Sequence, residues 1–524
     1  MNRLNPQWRV DAQSLVVFAS LIAFSSHSAS NALLQAPFRP YYHFTPERNW
    51  MNDPNGLVFY QGEYHVFFQH NPFGDRWGHM SWGHAVSRDL AHWQALPLAL
   101  AEENGVMIFS GSAVVDWRNS SGFGQKGKPP MIAIYTGNRI ADGRQFQCIA
   151  YSNDKGRSWT KFAGNPVLDI GSRDFRDPKV FWHEPTQHWV MVVSLAAERK
   201  IRFYGSTNLK SWEVLSEFGP AASTNGVWEC PDMFPLTIEN RAGSRRWVLI
   251  VNVGTGSVAG GSGTQYFVGE FDGKTFKLDE QQQRGDEAHW VDYGRDFYAA
   301  VSWSDIPRAD GRRLWLGWMS NWEYAQDVPT TPWRNAMSLP RQLSLREIDG
   351  QLRLVQKPAL ELQRLRSRHQ VFKHGTVAEA NLWLRKHAIS GNSFEAFIEL
   401  KPAPGGTVSG LRILKGSSDE TVIGFNPATS RVFLDRTRSG DTSFHKSFAG
   451  SYEAPVSPRQ GRVQLRLFVD ACSVEVFCNE GERVLTALVF PSDDARQIEC
   501  FGPDSAGLIG RLDLWSLTST PGNS

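Results

Sequence analysis

Three acidic side chains in this 524-residue chain sit in unusual company. Asp53 lies in W-M-N-D-P-N-G at residues 50–56, a run that reads as a tight turn holding one carboxylate between two amides. Asp177 lies in Arg176-Asp177-Pro178, and Glu229 in Trp228-Glu229-Cys230-Pro231-Asp232. Polar, turn-rich segments among apolar strands are where rigid scaffolds carry function. Carboxylates brought together repel, so one pKa rises while others stay ionised. One ionised carboxylate and one protonated acid flanking a bond are what glycoside hydrolysis requires. Arg176 is expected to keep its neighbour Asp177 charged. Glu229, between Trp228 and Cys230, has the less polar neighbours and is the candidate for a raised pKa. Taken singly, each acid reads first as the cap of a turn. A carboxylate metal site is the other rival, but it needs about six oxygens and usually a D-x-D-G-type loop, which none of the three has. No metal and no cofactor are expected.

The elements that must position these acids are strands. Helical periodicity is almost absent before residue 355, and short apolar runs alternate with Gly, Asn, Asp and Pro clusters. Five strand pairs begin near Leu57, Ala113, Val180, Leu236 and Tyr298. Three are followed by a second signature: Ser87-Arg88-Asp89-Leu90 leading to Trp93, Ser152-Asn153-Asp154 to Trp159, and Ser206-Thr207-Asn208-Leu209 to Trp212. Residues 269–276 form a degenerate fourth copy. The spacing, roughly 55–65 residues, suits a four-stranded blade with insertions. The expected fold is all-β, with a five-bladed β-propeller over residues 37–355. Asp53, Asp177 and Glu229 then precede the first, third and fourth pairs in equivalent places, where a propeller would gather them at one channel mouth. A linker with a short helix after Pro358 is expected over 356–370, and a β-sandwich over 371–520.

Composition narrows the partners. The net charge is +2 with both signs interspersed, so neither nucleic acid nor an anionic membrane surface is expected. The 20 Trp, 32 Phe and 12 Tyr suit sugar faces, although most such rings read as core. Five cysteines without a C-x-x-C pair argue against zinc and against a disulfide-dense fold. Cys472 and Cys478 are near enough in sequence to bridge, yet strand alternation leaves both free equally well. Arg3 and Arg9 precede an apolar run at 15–24 and small residues at 25–32. That run is too short to span a bilayer and matches a secretory signal over residues 1–32, although Asp11 weakens its charged region. The expected location is secreted or periplasmic. Asn119-Ser120-Ser121 is a glycosylation sequon, meaningful in a eukaryotic host.

With these residues in hand, the chain resembles glycoside hydrolase family 32, the invertase, inulinase and levanase group, over essentially everything after Pro37. Besides the three acid motifs, the resemblance rests on F-Q-H-N-P at 68–72, W-G-H-M-S-W-G-H-A at 77–85, F-S-G-S-A at 109–113, D-Y-G-R-D-F-Y at 292–298 and S-V-E-V-F at 473–477. G-W-M-S-N-W at 317–322 and T-T-P-W-R at 330–334 resemble the bacterial levanase and exo-inulinase branch. The Cys472 and Cys478 pair departs from the family pattern. The resemblance implies a propeller plus sandwich, and a retaining double displacement on β-D-fructofuranosides that releases terminal fructose from levan, inulin or sucrose. It implies Asp53 as nucleophile, Glu229 as acid and base, and Asp177 with Arg176 as transition-state stabiliser on the fructose hydroxyls. Retention predicts the Asp53 and Glu229 carboxyls about 5–5.5 Å apart. Asn52, Gln69, Trp77, Phe109 and Ser110 are implied to line the fructose pocket, with Asp292 and Trp318 as further candidates; Trp318 reads equally well as core. Fructosyl transfer through the same intermediate, and a non-catalytic fructan-binding protein, are the alternatives. The presence of all three acids weighs against the second. The sequence leaves the oligomeric state open.

Overall fold

The computed structural model describes residues 36–241, 243–280, 287–387, 389–402, 404–505 and 507–519. The expected signal segment lies outside them. The described chain is all-β and forms seven sheets. Five follow one another from residue 49 to residue 358. Each begins with one strand: Asn49–Tyr60, Val106–Val115, Phe175–His183, Trp228–Thr237 and Tyr298–Ser302. The next strand returns antiparallel beside it. First strands of consecutive sheets lie against one another, and the fifth lies against the first. Trp333–Arg334 adds in parallel to the first sheet beside Asn49 and Trp50, which ties the end of this region to its beginning.

The apolar runs are explained by burial on both faces. In His188–Leu195, Val190 and Val192 join a core with Phe203 and Met233, while Met191 and Val193 join another with Val114 and Phe175. Alternate side chains leave a strand on opposite faces, so a strand sandwiched between two cores is apolar at nearly every position. The repeated polar signature is a capped turn. Asp89 Oδ1 accepts the backbone N–H groups of Ala91 and His92, Asn208 Oδ1 those of Lys210 and Ser211, and Asp272 Oδ1 those of Lys274 and Thr275. The 269–276 segment therefore carries the same turn as the Asp89 and Asn208 copies.

All five first strands carry a β-bulge at the same place. Three residues of the first strand advance against two of the second between Met51 and Pro54, Ile108 and Gly111, Arg176 and Lys179, Glu229 and Asp232, and Tyr298 and Val301. The acids were expected in turns ahead of the strands. They lie instead inside the strands, in these bulges. Nor are they strictly equivalent: Glu229 is the last paired residue before its bulge, Asp177 is one step on, and Asp53 two steps on. A bulge leaves a residue out of the ladder and re-aims its side chain. It also admits prolines such as Pro178 and Pro231, which have no N–H to give.

The last two sheets, of six and five strands, enclose one apolar core that includes Ile398, Leu411, Leu434, Leu467 and Val476. The connection into them is short. Strand Gln351–Pro358 is followed by a 3-10 turn, Leu360–Leu365, which buries Leu362 and Leu365, and strand Arg366–Phe372 already belongs to the six-stranded sheet. An α-helix, Val377–Lys386, stands where strands alone were expected. Thr376 and Glu379 form a reciprocal capping box at its start. All five cysteines are free and buried.

Candidate active site

The mouth of the ring is built from the bulges upward. Polar side chains strap neighbouring first strands together. Asn55 Oδ1 accepts the Gly111 N–H at 3.0 Å, Ser112 Oγ donates to the Pro178 carbonyl at 2.9 Å, and Asn252 Nδ2 donates to the Cys230 carbonyl at 2.9 Å while its Oδ1 accepts the Ala299 N–H. Gly111 is required at its strap, since a Cβ there would lie 2.1 Å from the Ile134 carbonyl oxygen. One step further along the strands, the buried Lys179 amino group sits 3.2 Å from Asp232 and donates to the Ser302 carbonyl at 2.7 Å.

On this frame the three carboxylates meet through Cys230. Its backbone N–H donates to Asp177 Oδ2 at 3.0 Å, and its thiol lies 3.5 Å from Asp53 Oδ2. Asp53 takes two further donors, Asn52 Nδ2 at 3.0 Å on Oδ1 and Ser110 Oγ at 2.7 Å on Oδ2. Trp50 Nε1 donates to Asn52 Oδ1 at 2.7 Å and fixes which way that amide points. Glu229, adjacent to Cys230, accepts from Arg176 Nε at 3.0 Å on one oxygen and from the Tyr298 hydroxyl on the other. The segment from Trp50 to Asp53, the Phe109–Ser110 bulge, Arg176–Asp177, Glu229–Cys230 and Tyr298 thus supply one continuous polar surface from all five sheets.

A model of the glycosyl hydrolases family 32 N-terminal domain matches residues 43–358, and one of the family 32 C-terminal region matches residues 361–516. The chain belongs to glycosyl hydrolase family 32. It is 47% identical over 522 residues to a levanase of Bacillus subtilis strain 168, covering 98% of this chain and 75% of that protein. It is 41% identical to an extracellular exo-inulinase of Aspergillus niger, covering 92% of this chain and 95% of the other. Among solved structures, the exo-inulinase of Aspergillus awamori superposes with a TM-score of 0.86 at 38% identity, covering 93% of this chain and all of the other. The fructofuranosidase of Schwanniomyces occidentalis complexed with fructose superposes with a TM-score of 0.82 at 34% identity, covering 92% of this chain and 98% of the other.

In this family 32 site the electrostatics differ from the sequence expectation. Arg176 was expected to serve Asp177. It does lie 4.0 Å from the Asp177 carboxylate and favours its charged form, but its hydrogen bond goes to Glu229, 53 residues away. Neighbours in a strand point different ways, so adjacency in sequence does not decide the hydrogen bond. Burial raises Asp177 to about 7, against the opposing pull of Arg176 and with a further push from Glu229. Burial also raises Asp53, but the Ser110 and Asn52 hydrogen bonds oppose it. Burial and the surrounding carboxylates push both the Cys230 thiol and the Tyr298 phenol up. Both therefore keep their protons and act as donors.

Of the other expected pocket residues, Asn52, Ser110 and Arg176 touch the acids directly. Phe109 shares the Ser110 bulge, and its ring meets that of half-exposed Trp77 edge-on at 6.0 Å. Gln69 is buried behind them and donates to the Ile108 carbonyl at 3.1 Å. The last two have other partners. Asp292 faces the six-stranded sheet, where its carboxylate takes Arg341 at 3.1 Å and the Thr486 hydroxyl and N–H at 2.7 and 2.8 Å. Trp318 is buried, as are Trp50 and Tyr298, and its ring meets both of theirs. Sequence reading missed Tyr298 and Cys230. The repeat held the signal for Tyr298, which occupies in the fifth bulge the step that Glu229 occupies in the fourth.

Proposed function

We propose that this chain is a retaining, exo-acting β-fructofuranosidase that removes terminal fructose from levan, inulin or sucrose. The observation that carries the reading is the linkage of the three carboxylates through Cys230. Asp53, held by Asn52, Ser110 and the Cys230 thiol, is the nucleophile that attacks the anomeric carbon. Its three donors set its aim and favour its ionised form against burial. Glu229 protonates the leaving oxygen and then removes a proton from the water that hydrolyses the fructosyl-enzyme. Arg176 and Tyr298 fix the direction of its two oxygens. Asp177 accepts hydrogen bonds from fructose hydroxyls, which strengthen as charge develops on the ring. Trp77 and Phe109 supply the apolar wall, and Gln69 backs it.

The names and organisms of the similar proteins support the fructan substrate class. The five consecutive sheets whose first strands contact in a cycle support a closed five-bladed propeller over residues 37–355. The last two sheets support a sandwich over 371–520, with the Leu360–Leu365 turn between. No helix among the described residues is long and apolar enough to cross a membrane. The signal-like residues 1–32 and the extracellular relative support export.

Proton NMR of the first product released from sucrose or levan tests the mechanism. Retention gives β-fructofuranose first, and Asp53→Ala abolishes release. Inverted product, or hydrolysis undiminished in Asp53→Ala, would overturn it.

A further inference from the structure

Trp77 and Trp117 are the tryptophans that stand out as exposed among the described residues, at 40% and 59%. Trp77 belongs to the mouth that holds the acids. Trp117 belongs to the other end of the ring. There a separate cavity of about 900 Å³ opens between the far ends of the first strands and the loops that follow them. The Lys179–Asp232 pair lies between it and the acids. Asp177 and His183 lie six residues apart in the strand Phe175–His183, so about 20 Å of strand separates the two mouths.

The far cavity is built rather than left over. The indole of Trp117 is held by a 2.8 Å bond from its Nε1 to Asp305 Oδ1, and its ring meets Tyr60 edge-on at 5.8 Å. Asp305 is itself fixed by the Val115 N–H at 2.8 Å and stands at positive φ. The Trp117 face therefore stays in place while more than half of the residue is in water. Beside it, Arg118 lies over the Trp182 ring at 4.2 Å and 3.4 Å from Glu184. Trp182 Nε1 also donates to Glu184, at 2.8 Å. A fixed aromatic platform next to an oriented Arg–Glu pair suits a sugar ring: the platform takes its C–H face, and the pair takes adjacent hydroxyls as acceptor and donor. The Arg118–Glu184 pair beside the platform carries no net charge, as contact with a neutral sugar requires.

We propose that this cavity is a second, non-catalytic site that holds an internal segment of a β-fructan chain. The inference rests on the fructan reading above. An exo-acting site engages only chain ends, and ends are scarce in a long polymer. A second hold on the same polymer raises the local concentration of ends without touching the chemistry.

Electrophoresis of the full chain through native gels containing levan, inulin or dextran tests this. The Asp53→Asn background prevents digestion. Levan or inulin is expected to retard Asp53→Asn, and adding Trp117→Ala to abolish most of that retardation, while dextran leaves mobility unchanged. With Asp53 restored, Trp117→Ala is expected to raise KM for levan about fivefold and leave sucrose kcat/KM unaltered. Trp117→Phe, which keeps a ring, is expected to fall between. Equal retardation with and without Trp117, or equal loss on sucrose and levan, would overturn the proposal. Failure of the unaltered chain to hydrolyse any fructoside would instead overturn the catalytic reading, and the gel would still report on the cavity.

Discussion

Two buried polar clusters share this fold and obey opposite electrostatic rules. At the mouth of the ring, Asp53, Asp177 and Glu229 crowd together around one guanidinium, that of Arg176. At the seam between the ring and the other sheets, each buried carboxylate has a cation bonded to it. Arg341 lies 3.1 Å from Asp292 and 2.6 Å from Glu475, Glu475 bonds His43 at 3.0 Å, and His43 bonds Asp470 at 2.8 Å. Arg436 likewise bonds Asp296, together with the Tyr324 hydroxyl at 2.8 Å. The seam holds two halves of the molecule in register. The mouth holds unneutralised acid where a substrate can use it, and the fold bears the cost. Burial thus raises the pKa of Asp53 and Asp177 in one cluster, whereas in the other the partners of Glu475 lower its pKa despite burial.

The sharpest way to separate the clusters is to remove charge from each. Asp53→Asn or Glu229→Gln is expected to cut turnover by at least about 10³-fold with no loss of melting temperature, measured by fructose release and by calorimetry. Arg341→Met should do the reverse. It leaves Asp292 buried without its cation and Glu475 with His43 alone, and is expected to cost about 3–5 kcal/mol in denaturant unfolding, with turnover per folded molecule retained.

At both sites stability falls as pH rises, but in different windows. Its hydrogen bonds to Asp470 and Glu475 outweigh desolvation and raise His43 from 6.5 to about 9. The folded state therefore keeps a proton that the unfolded state loses. This stabilisation is complete below about pH 6.5 and is lost as pH rises through about 9, a change of about 3 kcal/mol. Denaturant titrations across that range should show it, and His43→Gln should flatten it. Asp177 has its folded value raised to about 7, so its ionisation destabilises the fold as pH rises from about 4 to about 7. Asp177→Asn is expected to stabilise the protein by up to about 4 kcal/mol at pH 8 and hardly at all at pH 4, while lowering activity. Equal stability of Asp177→Asn and the parent at both pH values would show that the mouth carries no such cost.

What was legible in the chain follows the range of each interaction. Strand pairs such as Phe175–His183 with His188–Leu195 are local hairpins, so their apolar runs and intervening turn stand together in sequence. The Ser-x-Asp turns cap their own backbone within four residues, and they too could be counted. The helix at 377–386 was equally local, its capping box readable as Thr376 and Glu379, but it was hidden among strand-like neighbours. The bulges were not legible, because a bulge exists only relative to a partner strand. Asn-Asp-Pro at 52–54 therefore read as a turn when it is an extended strand with one residue to spare. Asp292 was misassigned for the same reason: its setting belongs to Arg341 and Thr486, residues 49 and 194 positions away.

The sequence by itself determined the acids, their repeat and the family of motifs around them, because residue type and spacing are written along the chain. Only the tertiary structure decided which partner each acid has. Arg176 hydrogen-bonds Glu229 while standing 4.0 Å from its neighbour Asp177. Cys230 bridges two carboxylates that lie 53 and 177 positions from it. Tyr298 completes the set from the fifth sheet. Such pairings depend on how five bulged strands rotate against one another about a common mouth, and that geometry has no local residue pattern to announce it.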